Sequence, residues 1–200
     1  MKKVYYRLVR IIFRFFIFIY CKIVYRVKVV GKENIPKKEA VIFCGNHRSL
    51  LDAPLMEVTC KRDDARFLAK EELTRNPYVA HLGRVFNVIL VKRNDKDLGP
   101  MKEALKTLKN GGAVAIFPEG TRNGLKKGTK PKTGVAYFAL NSDAKVIPVG
   151  IKGGEKPFKK STIVYGKPIN LEKYKETKKE KETAENVTAI IMNNIIDLTK

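Results

Sequence analysis

The sequence has few of the residues that build metal sites and disulfide frameworks. It contains three cysteines and two histidines in 200 residues. Cys21, Cys44 and Cys60 form no Cys-x-x-Cys pair and no zinc-ligand pattern with the histidines. This argues against a zinc site and against disulfide bridges, and it is typical of a reducing compartment. We therefore expect no bound metal ion.

Long uncharged apolar runs are also absent. Cations interrupt the most apolar stretch, residues 4–25, and its longest uncharged run, residues 15–21, is far short of the ~18 residues that indicate a membrane span. In a transmembrane helix Arg10 and Arg14 would each cost about 2.5–3.5 kcal/mol near the bilayer centre. No small-residue cleavage site follows the stretch, which argues against a signal peptide.

The same stretch has the periodicity of an amphipathic helix. At about 100° per residue, its cations fall within an arc of roughly 120°, and the rest of the circumference is aromatic and aliphatic. We expect this helix to lie in a membrane interface, with cations at the headgroups. The residues given this role are Arg7, Arg10, Arg14, Phe15, Phe16 and Lys22. The alternative is a core helix of a soluble domain.

Acidic residues are the third shortage. The chain has 41 lysines and arginines against 20 acidic residues, a formal charge of +21. This imbalance indicates an anionic partner, which could be a membrane surface, a nucleic acid or a phosphorylated substrate. No zinc-finger, helix-turn-helix or aromatic-basic RNA motif is present. We expect an anionic membrane surface rather than nucleic acid, and a peripheral or monotopic position on the cytoplasmic face of the cell membrane.

Strand-like and helix-like segments alternate along the rest of the chain, without internal repeats. This alternation predicts an α/β domain over residues 26–200, preceded by a helical anchoring segment, residues 1–25. Strands are predicted at 26–30, 40–44, 63–70, 88–93, 113–117, 145–151 and 162–165. Helices are predicted from 71, and at 78–86, 98–109, 134–140 and 187–195. The last of these could pack on the core or pair with another chain.

The first candidate catalytic group follows the predicted strand at 40–44. Gly45 breaks that strand, so Asn46 and His47 lie on a turn at a strand end, where α/β domains build their sites. Asp52 comes five positions after the histidine. A histidine supported by a carboxylate can act as a general base. The two side chains can meet only if His47 precedes a helix whose first turn contains Asp52.

Two structural alternatives apply to this carboxylate. Ser49 to Asp52 resembles a capping box, in which Asp52 would only satisfy a helix start. Asp52 could also be the N-cap residue itself, since Pro54 belongs in a first helical turn.

A second polar segment follows the predicted strand at 113–117. It reads Pro118-Glu119-Gly120-Thr121-Arg122, and it is typical of an anion pocket. Glycine lets backbone N–H groups approach a ligand, threonine can donate a hydroxyl, and arginine can hold a phosphate with two hydrogen bonds. The alternative is an ordinary surface turn. Further cations could serve the same anion: Lys92, Arg93, Lys126, Lys127, Lys130 and Lys132.

In combination these segments resemble a known family. Asn46-His47-x4-Asp52, then Phe117 to Arg122, then Val146 to Val149 with Pro148, closely resembles 1-acylglycerol-3-phosphate acyltransferases, which are membrane glycerolipid acyltransferases. The resemblance covers roughly residues 26–170. The family block Gly-x-x-Phe-x-x-Arg maps onto residues 87–93, with Asn87 in place of glycine, Leu90 in place of phenylalanine and Arg93 retained.

The resemblance implies a fold and an activity. The fold is a single domain with a mixed, largely parallel sheet flanked by helices, as in glycerol-3-phosphate acyltransferase. The activity is acyl transfer from acyl-coenzyme A or acyl carrier protein to lysophosphatidic acid, without a further cofactor. His47 would be the general base, supported by Asp52.

The resemblance also implies roles for the polar side chains. The group implied to hold the acceptor phosphate is Arg93, Glu119, Gly120, Thr121 and Arg122, with Asn46, Lys92 and Pro148 in support. The alternatives are a different lysolipid or lyso-aminolipid acceptor, glycerol 3-phosphate, a basic nucleic-acid-binding protein, or a non-catalytic membrane-surface protein.

Overall fold

A computed structural model describes residues 2–92, 98–154 and 156–200. Its α-helices are α1 (Lys2–Val24), α2 (Asp52–Thr59), α3 (Pro77–Val85), α4 (Gly99–Lys109), α5 (Gly134–Leu140) and α6 (Lys181–Asp197). Its strands are β1 (Lys28–Val30), β2 (Val41–Gly45), β3 (Arg66–Lys70), β4 (Ile89–Val91), β5 (Ala113–Ile116), β6 (Lys145–Gly153) and β7 (Ser161–Tyr165). Strands and helices alternate, as the sequence predicts.

The strands form one mixed sheet in the order β1-β7-β6-β2-β5-β3-β4. Every neighbouring pair is parallel except β6 and β7, which are antiparallel. The predicted single α/β domain with a largely parallel sheet is therefore confirmed. Strand β2 lies between β6 and β5, so its carboxyl end is at the middle of the sheet edge, where ligands bind in open α/β sheets.

Helices cover both faces of the sheet because side chains alternate along each strand. In β2, Ile42 and Cys44 face a core built with α4, α5 and α6. Val41 and Phe43 face the opposite core, to which α1 and α2 contribute. Helix α6 belongs to the first core, and its residues Val187, Ile191 and Ile195 are fully buried there. The tail helix therefore packs on its own domain.

Several predicted boundaries are corrected by backbone geometry. Arg26 has a φ of 44°, which is outside the extended region, so β1 begins at Lys28 rather than at residue 26. The helix predicted from Glu71 is a 3-10 segment, Glu71–Arg75. It ends there because Asn76 is extended and caps α3, whose first residue is Pro77.

Helix α1 lies on the domain with two of its cations, Arg10 and Arg14, directed inward. The guanidinium group of Arg10 donates to Glu57 of α2 at 2.8 Å, and Arg14 pairs with Asp63. The prediction that Arg10 and Arg14 point to lipid headgroups is therefore wrong in this arrangement, because domain carboxylates hold both cations.

The outward side of α1 is apolar, so α1 is not a core helix. Its exposed large side chains are Val4, Tyr5, Leu8, Ile11, Ile12, Phe15, Phe16, Phe18, Tyr20 and Ile23. Arg7 and Lys22 are also exposed. Among the residues that the structure describes, no helix has the length and apolar character needed to cross a bilayer.

Candidate active site

The imidazole of His47 and the carboxylate of Asp52 meet at the carboxyl end of β2. His47 lies in the turn after Gly45, and Asp52 is the first residue of α2. His47 Nδ1 is 2.9 Å from Asp52 Oδ2. Gly45 ends β2 where α2 passes close, since a Cβ there would come within 2.7 Å of the Met56 side chain. The structure thus has the arrangement that the five-residue spacing requires.

The carboxylate of Asp52 also holds the turn in shape. Its Oδ2 accepts hydrogen bonds from the backbone N–H groups of Arg48 at 2.5 Å and Ser49 at 2.6 Å. The N–H of Leu51 in turn donates to Ser49 Oγ at 3.0 Å, so Ser49 and Asp52 have the hydrogen bonds of the capping box expected as an alternative. Asp52 therefore both caps this segment and holds His47, and it is not the N-cap residue, which is Leu51. Because the carboxylate can only accept, Nδ1 of His47 carries the proton, and Nε2 is left with the lone pair that a general base needs.

Phe117 fixes the plane of the imidazole. The two rings are stacked, with centroids 4.5 Å apart and planes inclined by 22°. Phe117 follows β5, the strand beside β2. We gave this residue no role from the sequence, although it directly precedes the Pro118-Glu119 segment. Together, Phe117 and Asp52 leave the imidazole little freedom to rotate.

Glu119 joins the two polar segments, and its expected role is corrected. The side chain is buried, with 2% of its surface exposed. Its Oε1 accepts from the backbone N–H of His47 at 2.7 Å, and its Oε2 accepts from that of Leu125 at 2.8 Å. Both oxygens are therefore engaged by the protein backbone. Glu119 positions the histidine turn, and it does not extend toward an acceptor phosphate.

Two further contacts hold the histidine turn against the sheet. Asn46 both donates to and accepts from the backbone of Ile151 in β6, at 2.9 and 2.7 Å. The backbone N–H of Asn123 donates to the carbonyl of His47 at 2.6 Å. The turn is thus fixed from three neighbouring segments, which is the preorganisation that general-base catalysis requires.

A cavity of about 540 Å³ opens beside Asp52. Its wall carries three cations, Arg48, Arg122 and Lys126. Its apolar lining includes Leu55 from α2 and Cys21 from α1. Such a cavity can take an anionic group together with an apolar chain. Arg48 was missed from the sequence, although it adjoins His47; its guanidinium group also donates to the carbonyl of Gly153 at 3.0 Å.

Other predicted ligand residues are not brought to this cavity. Gly120 has a φ of 62° and forms a turn after Glu119, and neither it nor Thr121 is part of the described lining. Lys92 is exposed and follows β4, the edge strand farthest from β1. Pro148 is buried inside β6, paired with Cys44 of β2, which makes it a packing residue.

The block aligned with Gly-x-x-Phe-x-x-Arg is only partly described. Arg93 lies outside the described residues. Asn87 has a φ of 51°, a left-handed conformation that glycine adopts freely and that asparagine tolerates better than most residues. This explains how asparagine can replace the usual glycine.

Cys44 is close to His47 in the sequence but is no candidate nucleophile. It is fully buried in the core, and burial raises the pKa of its thiol well above the ordinary value. Within the described ranges, no three His, Cys, Asp or Glu side chains are grouped to hold a metal ion.

The chain matches the Acyltransferase family profile over residues 26–152. It belongs to the acyltransferase family. The profile runs from the residues before β1 into the end of β6, and it therefore covers the His47–Asp52 pair, Glu119 and the three cations of the cavity wall. The family resemblance expected from the sequence is confirmed.

Three similar proteins have names that describe the same reaction. A 1-acyl-sn-glycerol-3-phosphate acyltransferase of Borreliella burgdorferi is 33% identical over 86% of this chain and 70% of its own length. One from Bacillus subtilis is 28% identical over 72% of this chain and 74% of its own length. The crystal structure of the LPA acyltransferase PlsC from Thermotoga maritima is similar with a TM-score of 0.72 and 25% identity, over 99% of this chain and 83% of that one.

Proposed function

We propose that this acyltransferase moves a fatty acyl group from a thioester to the free sn-2 hydroxyl of 1-acylglycerol 3-phosphate, forming phosphatidic acid. The observation that carries the proposal is the His47–Asp52 pair, with Nδ1 held at 2.9 Å and Nε2 left as the base. The names of the similar proteins support the choice of acceptor.

The reaction needs no nucleophile from the protein. Nε2 of His47 removes the hydroxyl proton, and the oxygen attacks the thioester carbonyl carbon. The C–S bond then breaks, and the thiol leaves with the proton returned by the imidazolium. Asp52 stabilises that cation while it exists. The donor is acyl-coenzyme A or an acyl carrier protein, and the step balances without a further cofactor.

The acceptor phosphate is held by cations of the cavity wall. Arg122, with Arg48 and Lys126, gives the wall three positive groups, and Asp52 of the reacting pair lines the same cavity. Guanidinium groups bind phosphate through paired hydrogen bonds. By family resemblance Arg93 and Lys92 also serve the acceptor. Glu119 acts through the backbone of His47 rather than through the phosphate.

Helix α1 brings this site to the lipid. We propose that its exposed apolar side lies in the acyl-headgroup boundary of the cytoplasmic leaflet, with Arg7 and Lys22 at headgroups. Arg10 and Arg14 have a different task, since they fix α1 to the domain. Phe15 and Phe16 are exposed on the side that would enter lipid. A lysolipid could then reach the cavity without leaving the leaflet.

The test is acyl transfer to lysophosphatidate by vesicle-reconstituted protein, with acyl-coenzyme A and acyl carrier protein donors in parallel. His47→Ala should lower turnover by about 10²–10⁴-fold, and Asp52→Asn should have a similar effect, because a neutral amide does not stabilise the imidazolium that forms. The matched control is His81→Ala, since His81 lies far from the pair and contacts Tyr5 and Tyr6 of α1.

Near-normal turnover by folded His47→Ala protein would overturn the mechanism. Absence of phosphatidate with both donors would overturn the choice of acceptor. Competition by glycerol 3-phosphate, larger-headgroup lysophospholipids and lyso-aminolipids then identifies the acceptor that is used.

A further inference from the structure

The loop between β6 and β7 exposes an aromatic side chain that no packing in the domain explains. Phe158 has 66% of its surface exposed. Its φ is 65°, which is unusual for a bulky residue and costs conformational energy. A protein retains such an arrangement when the surrounding contacts impose it, so the cause must be sought in what holds the loop.

The loop is held by the end of α1. The backbone N–H of Phe158 donates to the carbonyl of Val24, the last residue of that helix, at 2.6 Å. At the base of the loop, the N–H of Ser161 donates to the carbonyl of Tyr25 at 2.9 Å. Ile23, adjacent to Val24 in the chain, is 64% exposed and ends the apolar side of α1. The tip of the loop therefore adjoins the surface proposed to meet lipid.

The residues around Phe158 have the charge that such a surface needs. Lys156, Lys159 and Lys160 are exposed, and the segment 155–160 contains one acidic residue, Glu155. Lysine side chains extend their ammonium groups to headgroups while a neighbouring aromatic ring enters the boundary region. Anionic lipid attracts each such cation.

We propose that residues 156–160 form a second membrane contact, in which Phe158 enters the headgroup boundary of an anionic bilayer. The proposal rests on the interfacial position of α1 described under Proposed function. It adds a second point of attachment next to the cavity, because the base of the loop, at Gly153, Gly154 and Ser161, lines that cavity. Contact of both α1 and this loop with the bilayer would hold the cavity mouth at the level of the headgroups.

The chain contains no tryptophan, so one substitution gives a protein with a single tryptophan fluorophore. Phe158→Trp reports on the loop, and Phe15→Trp reports on the exposed side of α1. Tyr137→Trp is the matched control, because Tyr137 is partly exposed on α5, across the sheet from α1. Each variant is mixed with phosphatidylcholine vesicles with and without phosphatidylglycerol, and then with vesicles carrying brominated acyl chains.

With phosphatidylglycerol vesicles, the Phe158→Trp emission should shift to shorter wavelength and be quenched by bromine, and the Tyr137→Trp emission should change in neither respect. Phe158→Ser should bind these vesicles about tenfold more weakly than wild type, since one aromatic ring no longer leaves water. Circular dichroism checks that each variant is folded.

The outcomes separate this proposal from the one on which it rests. If Phe15→Trp responds and Phe158→Trp does not, the loop stays in water and the second contact is wrong. If neither responds, the interfacial position of α1 is wrong as well. A Phe158→Trp response to an added protein but not to vesicles would assign the loop to a protein partner and overturn the lipid contact. Acyl transfer is measured separately and does not enter these comparisons.

Discussion

The histidine turn and the α1–α2 contact both bury carboxylates, but they bind them to different kinds of donor. In the turn, Asp52 accepts from the imidazole and from two backbone N–H groups, and Glu119 accepts from two other backbone N–H groups. At the helix contact, Glu57 accepts from the guanidinium group of Arg10 at 2.8 and 3.1 Å. The other oxygen of Glu57 is buried and has no hydrogen-bond partner among the residues that the structure describes.

The carboxylates of the turn position the catalytic histidine, whereas the carboxylate of Glu57 attaches α1 to the domain. Backbone donors keep their places as long as the sheet is intact, so the carboxylates of the turn set geometry within small tolerances. Arginine donors arrive on a separate helix, and their contribution depends on charge, burial and the ionisation of Glu57. Substitutions in the turn should therefore mainly change turnover, and substitutions at the helix contact should mainly change stability.

The largest expected effect comes from removing the Arg10–Glu57 contact that attaches α1 to α2. Arg10→Ala leaves the Glu57 carboxylate buried without its main partner, and it should lower the free energy of unfolding by about 3–5 kcal/mol. Urea denaturation measures the change. Arg7→Ala is the matched control, because Arg7 is an exposed cation of the same helix. Equal losses of unfolding free energy in the two variants would show that the buried Arg10–Glu57 pair stabilises the fold no more than an exposed arginine does.

The next largest effect comes from disturbing the position of the histidine turn. Glu119→Gln keeps the size of the side chain but turns an amide NH₂ toward one of two backbone N–H donors. The histidine turn should shift, and kcat should fall about a hundredfold, which is about 2.7 kcal/mol of barrier. Steady-state kinetics measure this, with the exposed Glu185→Gln as control. A rise in acceptor KM at unchanged kcat would instead restore the phosphate-binding role of Glu119.

A smaller effect concerns pH. Burial raises the pKa of Glu57 above its ordinary value of 4.5, although Arg10 and Arg14 oppose the shift. The folded state thus holds this proton more tightly than the unfolded chain. The resulting stabilisation is complete below the ordinary pKa and is lost as the pH rises through the folded-state pKa.

The stability advantage of wild type over Glu57→Gln should therefore shrink as the pH rises above about 4.5. Chemical denaturation of both proteins at a series of pH values measures the difference. An advantage that grows with pH would show that the arginines outweigh burial.

The smallest expected effect concerns an exposed ion pair, which is compared with the buried Arg10–Glu57 pair. Lys130 and Glu185 are 3.1 Å apart, and both side chains are well exposed. Water screens such a pair, so Lys130→Ala should leave the denaturation midpoint unchanged within error. A shift as large as that of Arg10→Ala would contradict the role given to burial.

The contacts between near neighbours in the chain were predictable. The five-residue spacing of His47 and Asp52 requires the turn that the structure has, and the apolar runs give the strands of the sheet. Glu119 was misassigned because its partners are backbone N–H groups, which leave no signature in the sequence. Arg10 and Arg14 were misassigned for another reason: periodicity shows which residues share a helix face, but not which surface that face meets.

The contacts of Phe158 and Phe117 were also not predictable from the sequence. Neither belongs to a periodic pattern, and each gains its significance from a segment that is distant in the chain. The contact of Phe117 depends on β5 lying beside β2, and that of Phe158 depends on the end of α1. Such contacts follow from the topology of the sheet, which the motifs alone do not contain.

The contacts that hold the histidine turn have a consequence for folding. Glu119 meets the backbone of His47 across 72 positions, and Asn46 meets Ile151 across 105. Closing chain segments of this length is slow compared with forming helices. The turn therefore reaches its final shape only after β2, β5 and β6 have assembled. During refolding, helical signal should return first and catalytic competence last, and a nascent chain that has not yet produced β6 has no complete site.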